Sequence, residues 1–205
     1  MLTRSVEPDV RCEPAGKLHP LIAGRWSPRA YDPAYVVEES SLHNILEAAR
    51  YSPSNRNSQP WRFLIGRRGD QVFDGLLDAL AHGNRLWAAA SSVLICGLAA
   101  RCDESGEPLR WASYDLGQAI AYLTVQAMSE GLYVRQMAGF DPARIRVGPD
   151  VPTGFDPWIV VAVGALGDPE RLPARWQAEE GAGRVRIEMR LLISEAATPH
   201  PHRPD

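Results

Sequence analysis

Arg25, Ser27 and Arg29 alternate along the chain. In an extended backbone such residues point the same way. Two guanidiniums with a hydroxyl between them make a clamp suited to a phosphate; the same three residues also describe an ordinary solvated polar loop. Arg184 and Arg186 repeat the alternation near the C-terminus. The second run of interest is Ser52-Pro53-Ser54-Asn55-Arg56-Asn57-Ser58-Gln59-Pro60-Trp61-Arg62-Phe63. Its hydroxyls and amides both donate and accept hydrogen bonds, which suits a flat heterocycle with alternating donors and acceptors, or simply a succession of turns. No carboxylate–histidine pair is placed for general acid–base work, so no catalytic residue is assigned.

These residues need elements to hold them. Leu42, Ile45, Leu46 and Ala49 fall on one face of a helix, with Ser40 or Ser41 as its cap and Pro53 as its stop. Trp61 to Ile65 reads as a strand. The polar run therefore joins a helix to a strand. Leu18 to Arg29 reads as a short helix, and Val72 to Leu80 as an amphipathic one ending near Gly83. Asn84 follows, a turn or cap residue, before a strand at Val93 to Cys96. Arg101 to Arg110 is a polar loop, and the longest helix runs from about Ser113 to Glu130. Its stripe of Leu116, Ala119, Ile120, Leu123 and Ala127 is supplemented by Tyr114, Gly117 and Ala121 elsewhere, the mark of a helix buried on more than one side. Leu132 to Gln136 is a strand candidate and Asp141-Pro142 a helix start. Trp158 to Val163 reads as a buried central strand, and 167–183 as a helix with surface loops.

A length of 205 residues, 45% hydrophobic and 23% charged, fits one ordinary globular domain. The net charge of −3 gives no field for recruiting nucleic acid or an anionic membrane. Positive charge is nearly all arginine. Cys12, Cys96 and Cys102 have neither C-x-x-C spacing nor a completing His set, and Cys96 reads as a small core residue. His200 and His202 lie in a polar tail, so no metal is assigned. Met1 to Val10 lacks an apolar signal core and no run of about 18 apolar residues occurs, predicting a cytoplasmic protein that does not span a membrane.

The run Ser-Pro-Ser-x-x-Asn-x-Gln-Pro-Trp-x-Phe, Ser52 to Phe63, resembles the signature of the nitroreductase family, and the likeness extends over roughly Leu18 to Arg190. The resemblance implies an α+β fold, a three-layer α-β-α sandwich around a mostly antiparallel sheet. It implies a single domain over 18–196 with flexible termini at 1–17 and 197–205, and a homodimer with FMN at the interface. Arg25, Trp26, Ser27 and Arg29 match the family's flavin-phosphate and ribityl run, and Arg184 and Arg186 its returning basic pair. Asn84 matches an asparagine at the flavin ring. Met137, Ala138 and Gly139 match a turn that presents backbone N–H near N5. Pro53, Ser54, Asn55 and Asn57 match residues that reach in from the other subunit. The chain departs from the family run at Pro28, which removes a backbone donor, and at Ile187, where a proline would follow the basic pair. The implied activity is transfer of a hydride or electrons from NAD(P)H through FMN to a small organic acceptor such as a nitroaromatic or quinone. The alternatives are a flavin-binding storage or sensor protein with little turnover, and a flavin-free scaffold.

Overall fold

In the computed structural model, which describes residues 16–147, 151–188 and 192, two strands carry apolar residues on both faces. β2 (Val93–Ala100) and β4 (Phe155–Gly164) pair antiparallel at the centre of the sheet, with a register shift between Gly97 and Leu98. β1 (Trp61–Arg67) adds to the outer side of β2 and β3 (Tyr133–Met137) to that of β4, both antiparallel. The order is β1-β2-β4-β3, and all three strand pairings among the described residues are antiparallel.

Side-chain alternation divides the core in two. Val93, Ile95, Val161 and Val163 face one way and pack with Leu42, Ile45 and Ala49 of α2 (Glu39–Arg50). Leu116, Ala119, Ile120 and Leu123 of α5 (Ala112–Ser129) complete that layer. Leu94, Cys96, Val160 and Ala162 face the other way. They meet Phe73 and Leu76 of α3 (Gln71–Ala79), Trp87 of α4 (His82–Ala88), Ile145 of α6 (Pro142–Arg146) and Trp176 of α7 (Ala174–Gly181). The expected three-layer α-β-α sandwich is thus present. Cys96 is fully enclosed in the second layer, and that burial pushes its thiol up to about 12.

Several boundaries differ from the sequence reading. The helix expected over 18–29 is confined to α1 (Pro20–Ala23), and residues 25–29 are irregular; Pro28 could not have continued a helix. α2 starts at Glu39 with no side-chain cap from Ser40 or Ser41. The helix expected to end near Gly83 is two helices, because Leu80 leaves helical geometry to bridge Phe140. Asn84 consequently lies inside α4. On α5 the core stripe is buried as expected, but Tyr114, Gly117 and Ala121 are exposed in the single chain. The termini expected to be flexible fall, at 1–15 and 197–205, outside the described residues, as do Cys12, His200 and His202.

α3 lies directly on β1 at Gly66, where an added Cβ would come 2.3 Å from the Phe73 backbone nitrogen. Backbone cannot rotate away as a side chain can. Gly66→Ala is expected to lower stability by about 2–3 kcal/mol, read as a shift of the urea midpoint.

Candidate functional site

The irregular segment after α1 is held on both sides. Tyr31 bridges Leu166, and the Gly167 N–H donates to the Ala30 carbonyl at 2.9 Å. This fixes the exit of the Arg25–Arg29 run against the end of β4. The run then forms one wall of a cleft of about 160 Å3, lined by Arg25, Trp26, Ser27, Arg29, Arg135, Arg184 and the carboxylates of Glu179 and Glu180. Trp26 is buried and packs edge-on against Tyr133 at 6.1 Å.

The cleft is organised by guanidinium donors. Arg25 Nη1 donates to Ser27 Oγ at 3.2 Å. Arg184 donates to the Arg25 carbonyl and, at 3.3 Å, to that of Ala23. Arg135 donates to the Ser27 carbonyl and lies 5.3 Å over the Trp87 ring. Arg29 pairs with Glu179 at 2.6 Å, while its backbone N–H donates to Glu180 Oε1 at 2.7 Å. Burial, with repulsion from Arg184 and Arg186, lowers the Arg25 pKa; burial and Arg29 do the same at Arg135. Arg186 acts on Arg25 through its charge but does not line the cleft.

A second cluster joins Asn84 to the turn after β3. The Asn84 carboxamide donates to the Gly139 carbonyl at 3.2 Å, and the Ala81 N–H to the same oxygen at 2.9 Å. A Cβ at Gly139 would sit 3.1 Å from Asn84 Nδ2, so this close approach favours glycine. Ala138 and Gly139 are exposed. Met137 is buried in the second core layer, which leaves only its backbone for any ligand.

The polar run 53–59 forms a third piece. Ser54 is extended and Asn55–Asn57 make one 3-10 turn. Arg56, Asn57 and Gln59 all have positive φ (53°, 57° and 45°), a conformation that costs non-glycine residues free energy and persists only where surroundings enforce it. Three contacts do so here. The Gln59 N–H donates to Ser54 Oγ at 3.0 Å, the Gln59 side chain to the Asn57 carbonyl at 3.2 Å, and the Asn55 N–H to Asp115 Oδ2 at 3.0 Å. Asp115 is buried in the first turn of α5 and also accepts from Gln118. Pro53, Ser54, Asn55, Trp111, Tyr114, Asp115 and Gln118 line a cavity of about 270 Å3; Asn57 is exposed outside it.

The structure therefore brings Arg25, Trp26, Ser27, Arg29 and Arg184 together, sets Asn84 beside Gly139, and keeps Pro53, Ser54 and Asn55 in a cavity that shares no lining residue with the guanidinium cleft. Sequence reading missed Arg135, Glu179, Glu180 and Asp115. Arg135 had a signal, a lone charge in a strand of otherwise uncharged residues; the three acids had none, since their neighbours come from distant parts of the chain.

A family model described as the nitroreductase family matches residues 22–95. A solved structure described as an oxidoreductase containing FMN superposes with a TM-score of 0.83 at 31% identity, covering 89% of this chain and 93% of that one. An uncharacterized 15.4 kDa protein of the ask 5′ region in Mycolicibacterium smegmatis is 42% identical over 118 residues, 52% of this chain and 76% of that protein. The major NAD(P)H-flavin oxidoreductase of Aliivibrio fischeri is 42% identical over 50 residues, 23% of each protein's length; the likeness to that relative is thus local.

Asp115→Ala leaves the Asn55 N–H without its acceptor. A loss of about 2 kcal/mol in stability is expected, with faster tryptic cleavage after the exposed Arg56, whereas Asp115→Asn, which keeps an acceptor oxygen, should cleave close to the wild-type rate. Limited proteolysis followed by mass spectrometry reads both.

Proposed function

This chain belongs to the nitroreductase family, and from that premise we propose that it is an FMN-dependent oxidoreductase. It takes reducing equivalents from NAD(P)H and delivers them to a small organic acceptor such as a nitroaromatic or a quinone. The observation that carries this reading is the guanidinium cleft. Arg25, Arg29, Arg135 and Arg184 face Glu179 and Glu180 across it, four positive charges against two negative, an excess that suits a phosphate monoester. The donor set therefore fits the phosphate end of FMN. The FMN-containing relative and the flavin oxidoreductase relative support the same assignment.

Bound FMN supplies hydride acceptance and delivery. The chain's own residues have simpler tasks. Arg25, Ser27, Arg29 and Arg184 hold the phosphate, with Trp26 closing the cleft wall. The exposed backbone at Ala138 and Gly139 offers N–H groups to the ring. Asn84 spends one amide hydrogen on Gly139 and keeps another, with its oxygen, for the ring edge. Donors aimed at the pyrimidine side favour the negative charge of a reduced flavin. Hydride transfer requires no general acid or base, in keeping with the absence of an assigned pair.

In this reading two chains make each site. Pro53, Ser54, Asn55 and Asn57 are held in a strained loop away from their own guanidinium cleft and complete the partner's. Tyr114, Gly117 and Ala121 of α5, with exposed Leu18, Ile22 and Trp111, supply the surface for the homodimer. No helix among the described residues is long and apolar enough to cross a membrane, and we place the protein in the cytoplasm.

Purified protein is expected to absorb near roughly 370 and 450 nm, as oxidised flavin does, and to release FMN on heating. Sustained NAD(P)H oxidation with menadione or nitrofurazone is expected; binding without turnover would favour the storage or sensor alternative. A colourless protein that takes up no added FMN would defeat the proposal. Replacing Arg25 and Arg29 together by Gln is expected to weaken FMN retention by about tenfold or more, since each charge-assisted contact contributes about 1.5–3 kcal/mol. Unchanged flavin content in that variant would reject the phosphate assignment.

A further inference from the structure

Arg135 is the cleft guanidinium that the family-like motifs leave unassigned. It projects from β3 on the same face as Met137, into the layer that holds Trp87. Strand positions of this kind are normally apolar, and a methionine or leucine would fill the space over Trp87 at no electrostatic cost. Instead the chain places a second cation against Arg29, whose charge depresses the Arg135 pKa together with burial. The guanidinium is also fixed at both ends of its reach: the Ser27 carbonyl takes one N–H, and the Trp87 ring lies beneath its plane at 5.3 Å. A guanidinium carries five N–H donors in a planar fork, so a residue held this way has donors to spare at the cleft it lines.

The internal counter-charges are already engaged elsewhere. Glu179 pairs with Arg29 at 2.6 Å, and Glu180 accepts the Arg29 N–H at 2.7 Å. Both carboxylates moderate Arg135 at longer range, but the cleft as a whole retains its excess of positive charge.

The geometry points to Arg135 as a further phosphate-holding residue, a preorganised fork from the sheet that joins Arg25, Arg29 and Arg184 on the phosphate of the flavin nucleotide. This rests on the FMN reading above. Its competing role is purely structural, a prop for the Ser27 carbonyl, and the two roles separate by ligand. FMN and riboflavin differ only in the phosphate, so a phosphate contact affects one and a misplaced wall affects both.

The test is titration of apoprotein with FMN and with riboflavin, followed by quenching of flavin fluorescence, for wild type, Arg135→Met and Arg135→Lys. Arg135→Met is expected to weaken FMN by about tenfold or more and to leave riboflavin within about twofold. Arg135→Lys keeps the charge but loses the fork, and is expected to fall between, again for FMN alone. Equal losses for both flavins, or no loss for either, would overturn the assignment. If thermal melting shows that Arg135→Met does not fold, the same FMN-against-riboflavin comparison on Arg135→Lys decides. Wild-type protein that binds FMN no more tightly than riboflavin would instead sink the phosphate cleft itself, an outcome distinct from a failure at Arg135.

Discussion

Arg184 donates to the carbonyls of Arg25 and Ala23, and Arg135 donates to that of Ser27. Two guanidiniums from remote parts of the chain therefore pin a short stretch that has no regular secondary structure to hold it. Each bond uses a backbone acceptor that a strand or helix would otherwise have satisfied. The result is a paradoxical cluster, in which cations that repel one another are gathered because each has an acceptor to bind: a carbonyl for Arg135 and Arg184, a carboxylate for Arg29 and the Ser27 hydroxyl for Arg25. Glu180, buried and accepting the Arg29 N–H, and Glu179, paired with the Arg29 side chain, supply the only opposite charge lining the described cleft. Geometry within the cleft is thus set by the chain's own contacts, which leave an excess of positive charge along its lining.

The polar run after α2 is held by a different principle. Its three non-glycine residues at positive φ are energetically uphill, and the chain offsets this with short side-chain to backbone bonds and with one buried carboxylate on α5. Asp115 matters because it comes from the helix most firmly seated in the core. A loop tied to such a helix keeps its exposed side chains in fixed positions while remaining at the surface.

The residue types told much of this in advance. The apolar periodicity of Leu42, Ile45 and Ala49, and of Leu116, Ala119, Ile120 and Leu123, gave helices whose buried faces are the ones seen. Trp61 to Ile65 and Trp158 to Val163 lie within observed strands. The alternation of Arg25, Ser27 and Arg29 did bring the three into one cleft with Arg184, even though the helix expected over 18–29 is a single turn that ends at Ala23. What could not be read was long-range. Nothing near Glu179 and Glu180 announces an arginine 151 positions away. Nothing in Tyr114-Asp115-Leu116 says that the carboxylate meets a backbone N–H 60 residues upstream. The break between α3 and α4 was also hidden, because Leu80 leaves the helix to pair with Phe140, a tertiary preference stronger than its own helical one. Asn84 and the Gly139 turn were singled out separately; the hydrogen bond that joins them comes from that same pairing.

The contacts that define the guanidinium cleft span 108, 151 and 159 residues of sequence, and the central strands β2 and β4 pair across the whole of α5, β3 and α6. None of the four strands is joined to its neighbour by a tight hairpin. Topologies of this kind fold slowly because loops must close before their contacts repay the lost entropy. During synthesis the consequence is sharper. Until Arg184 has emerged, the carbonyls of Ala23 and Arg25 lack their donor, and the guanidinium cleft does not yet exist. The 25–29 run is therefore made 159 residues before the donor that pins the Arg25 carbonyl, and the cleft takes its shape only when both ends of that span are present.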